Sequence, residues 1–342
     1  MILPTYSCYS YNNRIREQSS SGGVFYSLAE RVLAQGGIVY GVVMSEDCYR
    51  AEYSRARTLS EIKRMMGSKY IQAYLGNTLK NVKKDLEEKN EVLFTGTPCQ
   101  VNGLKNYLQK DYTNLVCVDV VCHGVPSRQL WEKYVRYCEK KYKHKIKDVN
   151  FRCKDVGWKN FGLKRTDLNN KKIFISKDLD PYMSLFLKNY SLRPSCYNCK
   201  AKNNKKADLT IGDFWGIERI EPELNDGKGV SLVIIRTDKG EKIFQDIEHF
   251  FRVAKVNYLD AIKDNSAENE SVIMPPERNS FYKDINLDFN NLIKKYLPKL
   301  RYMIVRKKVK NMILNISIKC AGGGVNNVNF NYGLLFVLLK ED

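Results

Sequence analysis

Residues 91–100 read Glu-Val-Leu-Phe-Thr-Gly-Thr-Pro-Cys-Gln, an apolar run that ends in a glycine turn followed by Pro98 and Cys99. The run predicts a buried β-strand, and residues 101–108 predict a helix after it. Strand, tight turn and helix in this order are typical of α/β proteins, which place reactive groups at the carboxyl ends of parallel strands. Cys99 is therefore better placed for function than a cysteine in the middle of a strand.

The same arrangement follows at once in residues 115–126. A continuous apolar run over 115–121 predicts a strand covered on both faces, and it leads into Cys-His-Gly-Val-Pro, which begins at Cys122. Because parallel strands end at the same edge of a sheet, we expect Cys99 and Cys122 to lie side by side. Cys117, inside the strand, and Cys138, on the apolar face of a helix expected over 127–143, are interpreted as core thiols.

A third motif adds two more cysteines. Residues 193–199 read Arg-Pro-Ser-Cys-Tyr-Asn-Cys, so Cys196 and Cys199 lie on one tight turn and can reach a single metal centre. With Cys99 and Cys122 they make an all-thiolate set of four, which suits an iron–sulfur cluster and equally suits structural zinc. Structural zinc sites usually use two close pairs of ligands, whereas two of these cysteines stand singly, so the spacing favours a cluster.

Two loops of small residues are candidates for cofactor binding. Residues 18–23, Gln-Ser-Ser-Ser-Gly-Gly, precede an expected helix, whose N-terminal N–H groups can bind phosphate, although an ordinary helix cap is the alternative. In residues 67–70, Gly-Ser-Lys-Tyr, the lysine could meet a phosphate and the tyrosine could pack on a flat ring. A surface turn is the alternative there.

The composition limits the classes of function. The formal net charge is +19, from 57 Lys and Arg against 38 Asp and Glu, but no nucleic-acid-binding motif is present and we expect no nucleic-acid partner. The basic stretch 292–318 could contact an anionic membrane, or it could be a solvated helix. No run approaches the ~20 apolar residues of a membrane span, and no signal peptide is recognisable, so a cytoplasmic location is predicted.

Six ordered motifs make the chain resemble the coenzyme F420 hydrogenase/dehydrogenase beta subunit family, in the branch that includes proteins encoded near polysaccharide synthesis genes. The resemblance runs from about residue 18 to residue 260. The motifs are residues 19–25, 67–70, 94–100, 122–126, 193–199 and 208–216.

This resemblance implies an iron–sulfur flavoprotein oxidoreductase with a [4Fe-4S] cluster, FAD and a small redox substrate, F420 or a substitute. It assigns no catalytic residue. The cysteines that match the family's cluster ligands are Cys99, Cys122, Cys196 and Cys199. The flavin would be served by Ser21, Gly22, Gly23, Gly67, Ser68, Lys69, Tyr70, Gly96 and Thr97.

One departure from the family concerns the source of electrons. Many relatives begin with a ferredoxin-like region of closely spaced cysteines, and here only Cys8 precedes the family core, so a separate carrier such as ferredoxin is expected. The competing hypothesis is a zinc-stabilised, non-enzymatic scaffold or binding protein associated with glycosyltransferases.

The predicted fold class is α/β, or mixed α+β. An N-terminal α/β part with a parallel-type sheet would be followed by a smaller β-rich part and a helical C-terminal tail. The expected divisions are a lead over 1–17, a flavin- and cluster-binding part over 18–148, a β-rich part with the paired cysteines over 149–262, and a basic, partly disordered helical tail over 263–342.

Overall fold

The computed structural model describes residues 3–300, which form a large mixed sheet, a small antiparallel sheet and the helices around them. The strands are β1 (Thr5–Ser10), β2 (Ile38–Met44), β3 (Ala51–Ala56), β4 (Val92–Gly96), β5 (Leu115–Val120), β6 (Ile146–Cys153), β7 (Gly162–Asp167), β8 (Lys172–Ser176), β9 (Leu209–Asp213), β10 (Ser231–Ile235) and β11 (Phe251–Val256). The α-helices are α1 (Asn13–Gln18), α2 (Val24–Ala34), α3 (Leu59–Met65), α4 (Thr78–Glu87), α5 (Pro98–Leu108), α6 (Arg128–Tyr142), α7 (Pro181–Leu187), α8 (Ile217–Ile220), α9 (Asp238–Glu248), α10 (Tyr258–Ile262), α11 (Arg278–Lys283) and α12 (Phe289–Tyr296). Short 3-10 helices cover Pro194–Asn198, Pro222–Leu224 and Ser266–Glu268.

The large sheet has the strand order β11-β1-β10-β9-β5-β4-β2-β3. Its four central strands β9, β5, β4 and β2 run parallel, and the strands on either side of them pair antiparallel. Leu93 and Phe94 are fully buried in two separate apolar clusters, as expected for a strand covered on both faces. The predicted fold class, with its parallel-type sheet, is confirmed.

The register of the parallel strands sets the position of the site. Thr95 pairs with Val118 and Gly96 with Asp119, so β4 and β5 end together. Helix α5 begins directly after β4, earlier than the predicted start at residue 101. Thr97 and Gln100 form a reciprocal capping box around Pro98, whose missing N–H costs nothing in a first turn. Cys99 therefore lies in the first turn of a helix, at the edge of the sheet.

The lead and the β-rich part both contribute strands to the large sheet. Strand β1, which the sequence did not predict, pairs with β10 and β11, and β9 and β10 join the same sheet. Only β6, β7 and β8 form a sheet of their own. The four-part division stays a prediction, and the strand pairing joins three of its parts through one sheet.

The described residues form a first compact unit up to Ile285 and the beginning of a second from Asn286. In the second unit, Asp288 caps α12 by accepting a hydrogen bond from the Asn291 N–H at 3.1 Å. Most of the predicted basic stretch 292–318, and the tail beyond it, lies outside the described residues. Within residues 3–300, no helix is long and apolar enough to cross a membrane.

Candidate functional site

A cavity of about 300 Å³ opens where the parallel strands end. Its walls include the ends of β4, β5 and β9 and the two small-residue loops singled out in the sequence. Eight of the nine predicted flavin-binding residues line it, namely Ser21, Gly23, Gly67, Ser68, Lys69, Tyr70, Gly96 and Thr97. The edge of an α/β sheet at the carboxyl ends of its strands is the usual place for a ligand.

Gly22, the ninth residue, lies behind the cavity and has a packing role. A Cβ there would stand 2.4 Å from the carbonyl oxygen of Cys8 and 2.9 Å from the backbone nitrogen of Ser231. Its own N–H donates to Ser231 Oγ at 2.9 Å, and its carbonyl accepts from the Ser10 N–H at 2.8 Å. Glycine is needed because the loop presses directly against the backbone of the large sheet.

Helix α2 begins at this loop without a side-chain cap. Its N-cap residue is Gly23, in the left-handed conformation with a φ of 104°, and no side chain accepts from the first turn. The Ser21 hydroxyl donates to the Val230 carbonyl at 2.6 Å instead. Gly23 is thus an ordinary N-cap residue without a side chain, and its carbonyl accepts from the Tyr26 N–H at 3.1 Å. The N–H groups of Val24 and Phe25 have no acceptor in the described residues, so they could also bind a ligand.

The second loop is joined to the first across the cavity. Ser68 N–H donates to Ser20 Oγ at 2.8 Å, and the two hydroxyls are 3.0 Å apart. Lys69 does not extend toward a ligand: its Nζ donates to the carbonyls of Arg64, Met65 and Met66 at 3.1, 2.7 and 2.8 Å. Lys69 thus closes the C-terminal end of α3 and shapes the loop, and burial lowers its pKa to about 7.

Aromatic rings form another wall. Tyr70 stacks on Phe186 with ring centroids 5.0 Å apart, and Phe186 meets the His123 ring edge-on at 5.3 Å. His123 Nε2 is 2.6 Å from Asn189 Oδ1, so the imidazole pairs with an amide rather than with the neighbouring Cys122. Burial lowers the pKa of His123, which favours the neutral ring.

The four predicted metal ligands come from the two halves of the chain. Cys122 follows β5 and lines the cavity, whereas Cys99 is exposed in the first turn of α5. Cys196 and Cys199, half-buried, lie on and directly after a 3-10 helix. The Val125 N–H donates to Cys196 Sγ at 3.4 Å, which ties that turn to the segment after Cys122.

Burial and neighbouring charges both act on the Cys122 thiol. Burial raises the pKa of the Cys122 thiol to about 12, and the charges of Cys99, Cys196 and Cys199 act in the same direction, with Lys202 opposing them. Lys202 donates to the Cys122 carbonyl at 2.6 Å. Within residues 3–300, no three His, Cys, Asp or Glu side chains are positioned to hold a single metal ion. The four candidate ligands are all free thiols, which are the ordinary ligands of an iron–sulfur cluster.

Sequence reasoning did not identify three charged residues as part of the site: Asp213 lines the cavity, and Arg152 and Lys154 lie behind its wall. Asp213 accepts from Arg152 at 2.8 Å and from Trp158 Nε1 at 2.9 Å. Lys154 donates to backbone carbonyls of the first loop, including that of Ser21. The sequence signal for Arg152 is its position between Phe151 and Cys153, because a cation between apolar residues needs a buried partner.

The aromatic pair after Asp213 caps the core. Phe214 is fully buried, and Trp215 stacks on Trp158 with centroids 4.8 Å apart and planes within 8°. Phe214 belongs to an apolar cluster and Trp215 packs against it, so this pair closes the core. Cys117 and Cys138 are also buried, as predicted.

Two known proteins are similar to this chain. Coenzyme F420-dependent sulfite reductase of Methanocaldococcus jannaschii is 22% identical over 268 residues, which make up 72% of this chain and 40% of that protein, so the chain spans less than half of that relative. A chain of the F420-reducing [NiFe] hydrogenase complex from Methanosarcina barkeri has a TM-score of 0.53 at 15% identity, covering 84% of this chain and 94% of its own, and this likeness shows the fold.

Two family models match separate parts of the sequence. The model of the N-terminal region of the coenzyme F420 hydrogenase/dehydrogenase beta subunit matches residues 5–80, and that of its C terminus matches residues 89–256. Since these matches together take in most of the chain, the protein belongs to the coenzyme F420 hydrogenase/dehydrogenase beta subunit family.

Proposed function

We propose that this chain is an oxidoreductase that passes electrons between a [4Fe-4S] cluster and FAD, and from FAD to F420 or another small redox substrate. One observation carries the proposal: Cys122 lines the cavity, and hydrogen bonds connect its segment with the turn that carries Cys196 and Cys199. Lys202 Nζ donates to the Cys122 carbonyl at 2.6 Å, and the Val125 N–H donates to Cys196 Sγ at 3.4 Å. A flavin in the cavity and a cluster on these cysteines would be neighbours. Family membership and the F420-linked relative support this class of reaction.

The cluster would be held by Cys99, Cys122, Cys196 and Cys199. All four side chains are thiols, and thiolates are the ordinary ligands of an iron–sulfur cluster. Because neighbouring thiolates repel one another, a positively charged group among them would stabilise the set. The residues fit a cluster for these two reasons.

FAD would lie in the cavity with its phosphates at the start of α2. That helix has eleven residues and an N-terminus without a side-chain cap, which favours an anionic group. The flavin, when bound, would exchange single electrons with the cluster and a hydride with the substrate. Tyr70, His123 and Asp213 supply the polar groups that can hold a ring or a substrate in place, and Phe186 and Val120 exclude water.

A separate one-electron carrier, such as ferredoxin, would deliver or remove electrons. Cys99 is exposed, and the turn with Cys196 and Cys199 carries the exposed Arg193 and Lys200. An acidic carrier protein could approach the cluster there. The process that uses the electrons, with polysaccharide biosynthesis as the predicted context, stays a prediction.

The proposal is tested by purifying the protein without oxygen and recording its visible spectrum before and after dithionite. We expect flavin absorbance on a broad iron–sulfur background, and both should bleach on reduction. A colourless protein that contains zinc and unfolds when a chelator removes it would contradict the proposal. That result would favour the zinc-stabilised scaffold.

A further inference from the structure

We propose that Arg152, in β6 of the small sheet, and Lys154, directly after that strand, position the cavity loop of residues 19–23 so that its N–H groups can bind the phosphates of the flavin. Neither residue lines the cavity, so both would act through the loop. The inference rests on the proposed FAD site and gives the small sheet a part in cofactor binding.

Lys154 binds the loop from behind. Its Nζ donates to the carbonyls of Arg16 at 2.6 Å, Ser21 at 3.1 Å and Lys228 at 2.8 Å. Within residues 3–300, no carboxylate lies within ion-pair distance of this ammonium group. Three carbonyls from two separate segments therefore bind one ammonium group. This contact directs the Ser21 carbonyl of the loop toward Lys154.

Arg152 makes a second contact with the same loop. Its Nη2 lies 3.4 Å from the Ser20 carbonyl and 2.8 Å from Asp213 Oδ1, so it joins the loop to the opposite wall of the cavity. The side chain is 3% exposed, and its guanidinium lies 3.9 Å from the centre of the Phe161 ring. Packing and pairing fix its position.

The bound carbonyls of the loop determine the direction in which its N–H groups point. In a trans peptide, the N–H of each residue points away from the carbonyl of the residue before it. With the Ser20 carbonyl directed at Arg152, the Ser21 N–H points away from the small sheet. With the Gly22 carbonyl bound by Ser10, the Gly23 N–H points away from β1.

The two N–H groups have no acceptor in the part of the chain that the structure describes, and both Ser21 and Gly23 line the cavity. Together with the start of α2, they make a set of donors suited to phosphate oxygens. Without the two cations, the loop carbonyls could rotate toward the cavity and present negative charge to the same phosphates.

The test compares Lys154→Met and Arg152→Lys with Lys164→Met. Lys164 is a lysine on the same small sheet, but it pairs with Asp155 at 3.1 Å and has no contact with the loop. After removal of flavin, the affinity of each variant for FAD and for riboflavin is measured by titration. Hydrogen exchange of residues 17–25 is followed in the ligand-free protein.

We expect Lys154→Met and Arg152→Lys to weaken FAD binding by about tenfold or more, which corresponds to about 1.4 kcal/mol. Riboflavin, which lacks phosphates, should lose much less affinity, and amides 17–25 should exchange faster. Lys164→Met should match the wild type. A loss shared equally by FAD and riboflavin would show a merely structural role and overturn the inference.

Failure of the proposed function gives a different result. If the wild-type protein binds no FAD, the flavin assignment is wrong, whereas unchanged exchange of residues 17–25 in both variants would refute the positioning role by itself. If Lys154→Met unfolds the large sheet, Arg152→Lys alone tests the inference. Arg152→Lys keeps a positive charge beside Asp213, but a lysine cannot bridge Asp213 and the Ser20 carbonyl as the guanidinium does. Wild-type FAD affinity in that variant would overturn the inference.

Discussion

Replacing Gly22 with alanine should displace the cavity loop from the large sheet. The new Cβ would stand 2.4 Å from the Cys8 carbonyl oxygen and 2.9 Å from the Ser231 nitrogen. Both are backbone atoms of paired strands, so the loop has to move instead of them. Ordinary van der Waals contact needs a separation about 1 Å larger than the shorter of these distances.

This displacement sets the size of the effect. Overpacking a rigid site costs about 1–3 kcal/mol. A shift of about 1 Å also breaks the bonds from Gly22 N–H to Ser231 Oγ and from Ser10 N–H to the Gly22 carbonyl, each worth about 1 kcal/mol. We expect Gly22→Ala to lower the free energy of unfolding by about 2–4 kcal/mol and to weaken flavin binding as well.

Urea denaturation of the wild type, Gly22→Ala and Gly103→Ala provides the measurement. Gly103 lies inside α5 with nothing within 4 Å of a built Cβ, so the same substitution there should stabilise the protein by about 0.5–1 kcal/mol. Opposite signs for the two variants are the expected result. A Gly22→Ala protein with wild-type stability and flavin affinity would refute the close-packing account of this loop.

Two further changes test the network around the site. Lys69→Met leaves three carbonyls at the end of α3 without their donor, and we expect a loss of about 1–3 kcal/mol in the free energy of unfolding. An unchanged urea midpoint would show that the lysine does not hold the loop. Burial raises the pKa of Asp119 to about 6, and its Oδ2 has no hydrogen-bond partner in the described residues. A raised pKa in the folded state means that the folded state binds the proton more tightly than the unfolded state. Protonated Asp119 therefore contributes to the free energy of unfolding at pH 4, and this contribution, up to about 3 kcal/mol, is lost as the pH rises to 7. The stability difference between the wild type and Asp119→Asn should change over that range in urea melts at several pH values, and a constant difference would contradict the raised pKa.

The central strands, and the positions of Cys99 and Cys122 directly after them, could be predicted from the sequence because the signals are local. The apolar runs before Cys99 and Cys122 are short, continuous and followed by turn residues, a pattern that is typical of buried parallel strands. Helix starts were less certain: Pro98 and the capping box at Thr97 begin α5 three residues before the expected start.

The missed elements depend on contacts between distant parts of the chain. Strand β1 contains Thr5 and Ser7, which are fully buried between β10 and β11 and give no apolar run to recognise. Lys154 reaches the loop from 133 residues away. The expected role of Lys69 at a phosphate came from residue type alone, and the end of α3 takes the ammonium group instead. Such roles follow from packing, which local sequence patterns do not encode.

Cofactor analysis of Cys122→Ser tests the central claim most directly. The matched control is Cys117→Ser, a change five residues away in a buried strand without a proposed ligand role. Iron, acid-labile sulfide, zinc and flavin are measured in each protein after purification without oxygen. The account predicts about four iron and four sulfide per chain, with one FAD, in the wild type and wherever Cys117→Ser folds, and loss of iron and sulfide in Cys122→Ser. Zinc without flavin in the wild type, or iron fully retained in Cys122→Ser, would contradict it.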